Sequence, residues 1–380
     1  MSISPQSTFS PQSTFSHSVD AAAAETLPGK WCVALLSGDD DVPLQMLCTR
    51  NLRRSVMKRL TPDVLAEDSK PVKSKRADLS QITRRIYFTR VEGTLEMELL
   101  YLRAAVACFG EAWRRLVPDR QAYFVQVDAE SPHPNYHRLE RLPAKPAGRF
   151  FGPMLTKARA DGVVDAMRDA FDLCRHHDLL RQTPNARACA YKDMHKCPAP
   201  CDGTVPMEVY RQNVWQSLRV IDDAEKLSSE WTHQMKQSAA TLNFEQAGRW
   251  KQKLSVLESL RSTPTFEDFK FVVIDRGEKR GAVKLFVIRG CDAAEVDSVQ
   301  TAVDQLRRPV DWPGDEAAHR RLGLLAHYVS EPATGVVVRF DAGLEAAVEQ
   351  AKPDLWPIKE KKLPPEDEEL RQADGLLDQV

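Results

Sequence analysis

Four cysteines within one short window constrain this chain more than any other feature. They are Cys174, Cys189, Cys197 and Cys201, spaced C-x14-C-x7-C-x3-C, and the last two enclose the tripeptide Pro-Ala-Pro. Thiolates that converge on one metal centre need a turn between close ligands, and two prolines with fixed φ angles supply a stiff one. The spacing therefore favours a metal or cluster site over a set of buried small apolar residues.

The composition indicates where such a site would operate. The chain carries 53 Lys and Arg residues against 54 Asp and Glu residues, which excludes a uniformly basic surface. No apolar run approaches the roughly 20 residues of a membrane span, so we expect no membrane partner. Residues 1–25 contain the direct repeat SPQSTF-SPQSTF, which predicts a disordered tail and not a secretory signal. We therefore expect a cytoplasmic protein, whose cysteines favour ligation over disulfides.

The region over residues 28–143 predicts a small α+β domain. Two apolar runs, 31–36 and 43–48, read as strands joined by an acidic turn, and a basic helix starts near Asn51. Alternation and helical periodicity then predict a strand over 84–91, a long helix over 94–116 and a strand over 121–127.

A helical hairpin is predicted over residues 226–261. Apolar residues recur at helical spacing on both sides of a break at Asn243; they are Leu227, Trp231, Met235 and Leu242 before it, and Phe244, Ala247, Leu254 and Leu257 after it. A lone two-helix hairpin has one thin apolar seam and is only marginally stable. The pattern is equally compatible with an ordinary core hairpin and with one that binds a partner helix.

Several of these segments together resemble one known family. Its signatures are Pro-Gly at 28–29, RNLR at 50–53, FGPM at 151–154, the cysteines within RAC and CPAPC, and the hairpin. In this order, over residues 28 to about 340, the chain resembles the UvrC family of excinuclease proteins, which act in bacterial nucleotide excision repair. The resemblance implies a GIY-YIG nuclease-like domain over 28–143 and a cysteine region over 144–222.

The resemblance also implies a cofactor and a partner. In this family the cysteine window holds a 4Fe-4S cluster, which makes Cys174, Cys189, Cys197 and Cys201 the expected ligands, with zinc as the alternative. The hairpin resembles the UVR motif, which binds the excinuclease B subunit (UvrB). The partner-binding residues implied on it are Trp231, Met235, Leu242, Phe244, Ala247 and Leu254.

The chain departs from this family where GIY-YIG chemistry needs tyrosines, a basic residue and a metal-binding carboxylate. The degenerate positions are Trp31, Gln45, Cys48, Ser55 and Arg103. An indole donates only through N–H and does not titrate, so a residue such as Trp31 preserves packing without acid–base function. Glu96 or Glu98 would serve only if the helix register slipped. We therefore predict a pseudo-nuclease domain with no catalytic residues.

The C-terminal part of the sequence resembles part of the region that follows the UVR motif in the family. Residues 266–345 contain two alternating strands, 269–275 and 282–289, and a helix around 322–329, which resemble the segment that follows the UVR motif. We expect the family's second nuclease domain to be absent and residues 350–380 to form a charged tail.

Double-stranded DNA is a further expected partner. Arg50, Arg53, Arg54 and Lys58 cluster on the basic helix and would neutralise phosphates without reading sequence, or form an ordinary solvated face. Two hypotheses follow: a non-catalytic UvrC-like accessory protein, and a divergent metal-dependent DNA endonuclease. The sequence contains no Gly-rich phosphate-binding loop, so we do not expect an ATPase.

Overall fold

The computed structural model of the chain describes residues 11–60, 78–261, 263, 265–277, 283–332 and 335–340. Over these residues helices alternate with antiparallel sheets, so the predicted mixed α and β class is confirmed. The predicted charged tail 350–380 lies outside the described residues. None of the helices in the described part of the chain combines the length and the apolar character that crossing a bilayer demands.

The first unit is an antiparallel sheet with the strand order β1-β4-β2-β3. Its elements are α1 Pro11–Thr14, β1 His17–Asp20, β2 Cys32–Ser37, β3 Pro43–Thr49, α2 Leu52–Leu60, β4 Arg85–Arg90, α3 Thr94–Cys108 and α4 Trp113–Leu116. Successive β2 side chains point to opposite faces, so Ala34 packs with α2 whereas Val33 and Leu35 pack with α3. The predicted hairpin and basic helix are therefore confirmed. The predicted helix over 94–116 breaks after Cys108, because Gly110 adopts a positive φ of 48°.

Residues 11–25 contradict the predicted disordered tail. Strand β1 pairs antiparallel with β4, with His17 opposite Phe88. Phe15 is buried, and its ring centroid lies 6.5 Å from that of Tyr87. The polar composition of the tail predicts disorder on average, but a free sheet edge and one buried aromatic ring are enough to order it.

The second unit contains the four cysteines. Its elements are β5 Tyr123–Val127, β6 Tyr136–Leu139, β7 Arg149–Met154, α5 Lys157–Ala170, α6 His177–Leu180, α7 Ala190–Asp193 and α8 Met207–Asp222, with the sheet order β6-β5-β7. Because β5 pairs with β6 and β7, the predicted domain boundary at residue 143 falls inside this unit, and the first unit ends before β5. Tyr136 is fully buried, and its hydroxyl lies 2.8 Å from Ser217 Oγ on α8.

The helical hairpin follows directly. It consists of α9 Ala224–Ala240 and α10 Phe244–Arg261. The turn contains Leu242 at a positive φ of 59°, and Asn243 Oδ1 accepts a hydrogen bond from the backbone N–H of Gln246 at 3.2 Å. The predicted break at Asn243 is thus confirmed, with its side chain capping the second helix.

The last unit closes back on the first. It contains β8 Lys270–Arg276, β9 Val283–Arg289, β10 Asp292–Val296, α11 Val299–Leu306, α12 Glu316–Ser330 and β11 Val336–Arg339, with the sheet order β10-β9-β8-β11. The predicted strand pair is confirmed as β8 and β9. Helix α12 packs on the end of the first unit, where Arg114 Nε donates to Glu316 Oε2 at 2.6 Å.

Candidate cysteine site and helical hairpin

The four predicted cysteines lie near one another, although they come from separate segments. Cys174 follows α5, Cys189 precedes α7, and Cys197 and Cys201 bracket a turn in which Ala199 adopts a left-handed φ of 56°. Cys174, Cys197 and Cys201 are buried, and Cys189 is partly exposed. The proline-bracketed turn expected from the sequence is therefore formed.

The thiols influence one another electrostatically. The Cys197 thiol donates a hydrogen bond to Cys174, which lowers the pKa of Cys174 to about 7 although burial opposes this shift. The same hydrogen bond and burial raise the pKa of Cys197, and the charges of Cys174 and Cys189 add to that rise. Burial raises the pKa of Cys201, again with contributions from Cys174 and Cys189. The hydrogen bond from Cys197 thus favours the thiolate form of Cys174, which is the form that binds metals.

The backbone around Cys174 is held from two sides. Its N–H donates to the Tyr210 hydroxyl at 3.1 Å, and its carbonyl accepts from Asn135 Nδ2 at 3.0 Å. The Cys201 carbonyl accepts a hydrogen bond from the Ala186 N–H at 2.9 Å. Neither Tyr210 nor Asn135 carried a sequence signal, because each acts through a contact across at least 36 residues.

Among the residues that the structure describes, no three His, Cys, Asp or Glu side chains lie as close together as the ligands of a single metal ion. The donors of the cysteine window are nevertheless all thiols, and three of the four are shielded from water. An all-thiol set suits an iron–sulfur cluster and zinc alike. The chemistry of the donors therefore fits the cofactor expected from the sequence.

The degenerate positions of the first unit lie on opposite faces of its sheet. Trp31 packs with the apolar cluster beneath α3, and Cys48 pairs with Val33 on that same face. Gln45 pairs with Leu36 on the other face, which α2 covers. The predicted positions therefore do not converge on one pocket.

The remaining degenerate positions have other contacts or face solvent. Arg59 Nε donates to Gln45 Oε1 at 2.9 Å, and Ser55 Oγ lies 2.5 Å from Thr49 Oγ1. Arg103 is exposed on α3. Gln45 and Ser55 are therefore engaged in hydrogen bonds beside the apolar cluster that α2 covers.

The two carboxylates that a slipped register would supply are both bound by cations. Arg120 donates to both Glu98 oxygens, at 2.6 and 3.1 Å, and the Glu98 side chain is only 12% exposed. Lys284 on β9 donates to Glu96 Oε1 at 3.0 Å. No local pattern could have predicted the second pair, because its partners are separated by 188 residues.

The predicted DNA-contacting residues remain on the surface. Arg50, Arg53, Arg54 and Lys58 are exposed, whereas the neighbouring Arg59 is buried against Gln45. The Arg50 guanidinium lies 5.9 Å from the Trp31 ring centroid, and Arg53 Nε donates to the Leu27 carbonyl at 2.7 Å.

The predicted partner-binding residues of the hairpin separate into a buried root and an exposed tip. Trp231 is only 6% exposed and lies in the same apolar cluster as Cys174, so it is not available to a partner. Leu254 packs against that cluster, and Met235 and Ala247 are half-buried. At the turn, Leu242 and Phe244 are 73% and 68% exposed. We define the hairpin tip as residues 241–247.

Sequence reasoning missed one residue of the hairpin root. Lys253 lies among aromatic rings from both hairpin helices and from the end of α5. The available signal was its position, one residue before Leu254 on a helix whose apolar stripe faces the core.

Comparison with known proteins places the cysteine unit among excinuclease sequences. Residues 123–220 match a family model described as the UvrC/Cho excinuclease middle domain. The UvrABC system protein C of Helicobacter hepaticus is 23% identical over 185 residues, which cover 48% of this chain and 29% of that protein. That of Nautilia profundicola is 25% identical over 191 residues, covering 48% and 30%. That of Acinetobacter baumannii is 28% identical over 145 residues, covering 38% and 24%.

These matches span less than a third of the length of each of these relatives. No solved structure matches the chain. The matched segment 123–220 begins with β5 and ends in α8, so it coincides with the second unit and includes all four cysteines of the window.

Proposed function

We propose that this chain, which matches the UvrC/Cho excinuclease middle domain over residues 123–220, is a non-catalytic accessory protein of nucleotide excision repair. In this proposal the hairpin tip docks a B-type excinuclease subunit, the cysteine window holds a 4Fe-4S cluster, and the basic helix α2 contacts DNA. The observation that carries the proposal is the exposed apolar tip on a hairpin whose root is buried.

The exposed tip supports docking because it is the part of the apolar seam that the core does not use. Leu242 and Phe244 stand at the turn with most of their surface in water, an arrangement typical of interaction sites. A short helical pair with an apolar end fits a complementary helical hairpin, which is the helix-in-groove mode. Lys236 and Lys251 are exposed beside the tip, which favours a partner with an acidic rim.

The docking proposal is tested with purified B-type subunit and the full chain. Isothermal titration calorimetry is expected to show binding that the double substitution Leu242→Ser and Phe244→Ser weakens at least about tenfold. The matched control is Met194→Ser, since Met194 is 58% exposed but lies in the cysteine unit. Equal affinities for the tip variant and the wild type would refute docking through the tip.

The non-catalytic role rests on the carboxylates of α3. Glu98 is bound by Arg120 and Glu96 by Lys284, so neither carboxylate faces an open pocket where a divalent cation would bind. We expect no magnesium- or manganese-dependent nicking of a damaged duplex. Nicking that disappears in Glu98→Gln would instead support the alternative function, a divergent metal-dependent endonuclease.

The cofactor proposal rests on the donor set of the cysteine window. A set of four thiols, three of them buried, is suited to an iron–sulfur cluster, with zinc as the alternative. When bound, the cluster would cross-link the chain segments that carry the four cysteines. Anaerobically purified protein is expected to contain iron and sulfide and to absorb in the visible range. Cys197→Ser is expected to lose the iron and Cys291→Ser to keep it, whereas stoichiometric zinc in the wild type would establish the alternative.

The DNA proposal rests on the exposed basic face of α2. Lys58 and Arg54 are exposed there, and their charges would be neutralised by phosphates. Replacing both by Ala is expected to make the slope of the logarithm of the DNA-binding constant against the logarithm of the salt concentration shallower by about two. A slope unchanged by the double substitution would assign this face to solvent.

A further inference from the structure

Lys253 is enclosed by three aromatic rings at the root of the hairpin. Its Nζ lies 5.2 Å from the ring centroid of Phe171, 5.8 Å from that of Trp231 and 5.0 Å from that of Trp250. We call these four residues the Lys253 cage. An ammonium group near the faces of several rings is attracted by their quadrupoles, most strongly where water is excluded.

The cage joins three separate elements of the chain. Trp231 belongs to α9, Lys253 and Trp250 belong to α10, and Phe171 follows the last residue of α5. The Phe171 and Trp231 centroids lie 6.2 Å apart, and those of Trp231 and Trp250 lie 6.3 Å apart. The lysine therefore contacts both helices of the hairpin and the body of the protein at once.

The lysine occupies this place although burial disfavours its charge. Burial lowers the pKa of Lys253, Asp172 opposes this effect, and Arg249 adds to it. An apolar side chain would fill the same space without desolvating a cation. What the cation adds is an attraction to all three rings at one position, which fixes the relative orientation of the elements that carry them.

The body side of the cage is itself fixed. Phe171 lies three residues before Cys174, whose N–H and carbonyl are hydrogen-bonded to Tyr210 and Asn135. The cage therefore attaches the hairpin next to a segment of the cysteine unit that is held by these two hydrogen bonds.

The hairpin converts small rotations at the cage into displacements at the tip. Lys253 lies nine residue steps along α10 from Phe244, a distance of about 14 Å at 1.5 Å per residue. Each ten degrees of tilt at the cage would then move the Phe244 end by about 2 Å, which is enough to misalign an apolar contact.

We propose that Lys253 is a positioning residue: its cage sets the angle of the hairpin on the cysteine unit and presents the tip to the partner in one orientation. This inference rests on the proposed docking through the tip. A tip that is held in its binding orientation before association loses less conformational entropy when the partner binds, so the cage strengthens binding without touching the partner.

Hydrogen exchange on the full chain tests the positioning role directly. Lys253→Met keeps an apolar stem but removes the cation, so amides of α9 and α10 are expected to exchange about 5 to 30 times faster. Lys253→Arg keeps a cation over the rings and is expected to exchange like the wild type. Lys226→Met changes an exposed lysine at the far end of α9 from the tip and serves as the control. Wild-type exchange in Lys253→Met would overturn the inference.

Binding to the B-type subunit separates this inference from the docking proposal. Lys253→Met is expected to weaken binding by a factor similar to its change in exchange, and Lys253→Arg to restore it. If Phe244→Ser binds like the wild type, docking through the tip is refuted. If Phe244→Ser loses affinity while Lys253→Met does not, only the positioning role of Lys253 is refuted. If Lys253 contributed only packing, the two variants would behave in the opposite way: Lys253→Met would bind like the wild type and Lys253→Arg would lose stability and affinity.

Discussion

The division of the hairpin into root and tip makes a quantitative prediction for one pair of substitutions. Trp231→Ala removes a side chain that is 6% exposed and packs between the rings of Phe171 and Trp250. Truncation of a buried tryptophan costs about 3–5 kcal/mol in unfolding free energy, and the lost ring face near Lys253 adds about 0.5–1 kcal/mol. Phe244→Ala removes a ring that is 68% exposed, which changes stability by no more than about 0.5 kcal/mol.

Urea unfolding followed by circular dichroism at the helical band measures both values. For a transition with a slope of about 2 kcal/mol per molar urea, Trp231→Ala is expected to lower the midpoint by about 2 M. Phe244→Ala is expected to leave the midpoint within about 0.3 M of the wild type. A small shift for Trp231→Ala would mean that the root is not packed as described. A large shift for Phe244→Ala would mean that the tip is part of the core.

Two further predictions concern packing and pH. A Cβ atom at Gly323 would overlap the Arg120 carbonyl oxygen, so Gly323→Ala is expected to lower the unfolding free energy by about 1–3 kcal/mol. Gly314 has open space where its Cβ would lie, so Gly314→Ala is the control and is expected to unfold thermally like the wild type. Burial, together with the charge of His177, lowers the pKa of His137 to about 4. The unfolded chain therefore binds the proton first on acidification, and stability is expected to fall from about pH 6.5 towards pH 4, by at most about 2 kcal/mol at pH 5. His137→Phe should flatten this part of the stability profile.

Local patterns were sufficient to predict most of the elements, since their causes lie within a few residues. The alternation in β2 and β3 and the break at Asn243 are examples, and both are formed as expected. The order of residues 11–25 could not be predicted from composition, because it depends on Phe15 reaching Tyr87 on a strand more than 70 residues later.

The functional regions were predictable to different depths. The spacing of the cysteines located the window, but the approach of Cys174 to Cys197 depends on anchors such as Tyr210 that leave no local signature. On the hairpin, Trp231 and Leu242 read as equivalent members of one apolar stripe. Trp231 is buried because Phe171, 60 residues earlier in the chain, packs on it, whereas Leu242 has no such neighbour in the described part of the chain and is exposed. Metal ligation and partner binding stay predictions.

The closure of α12 over the end of the first unit has a consequence for biosynthesis. Arg320 on α12 donates to the backbone carbonyls of Arg114 and Val117, and Glu316 accepts from the Arg114 guanidinium, so these partners are separated by more than 200 residues. A nascent chain that has emerged only as far as the cysteine unit leaves the surface around α4 uncovered, and this surface is covered only after the ribosome has delivered α12. Chaperone engagement during translation would then be concentrated on this end of the first unit, which stays uncovered until α12 has been synthesised.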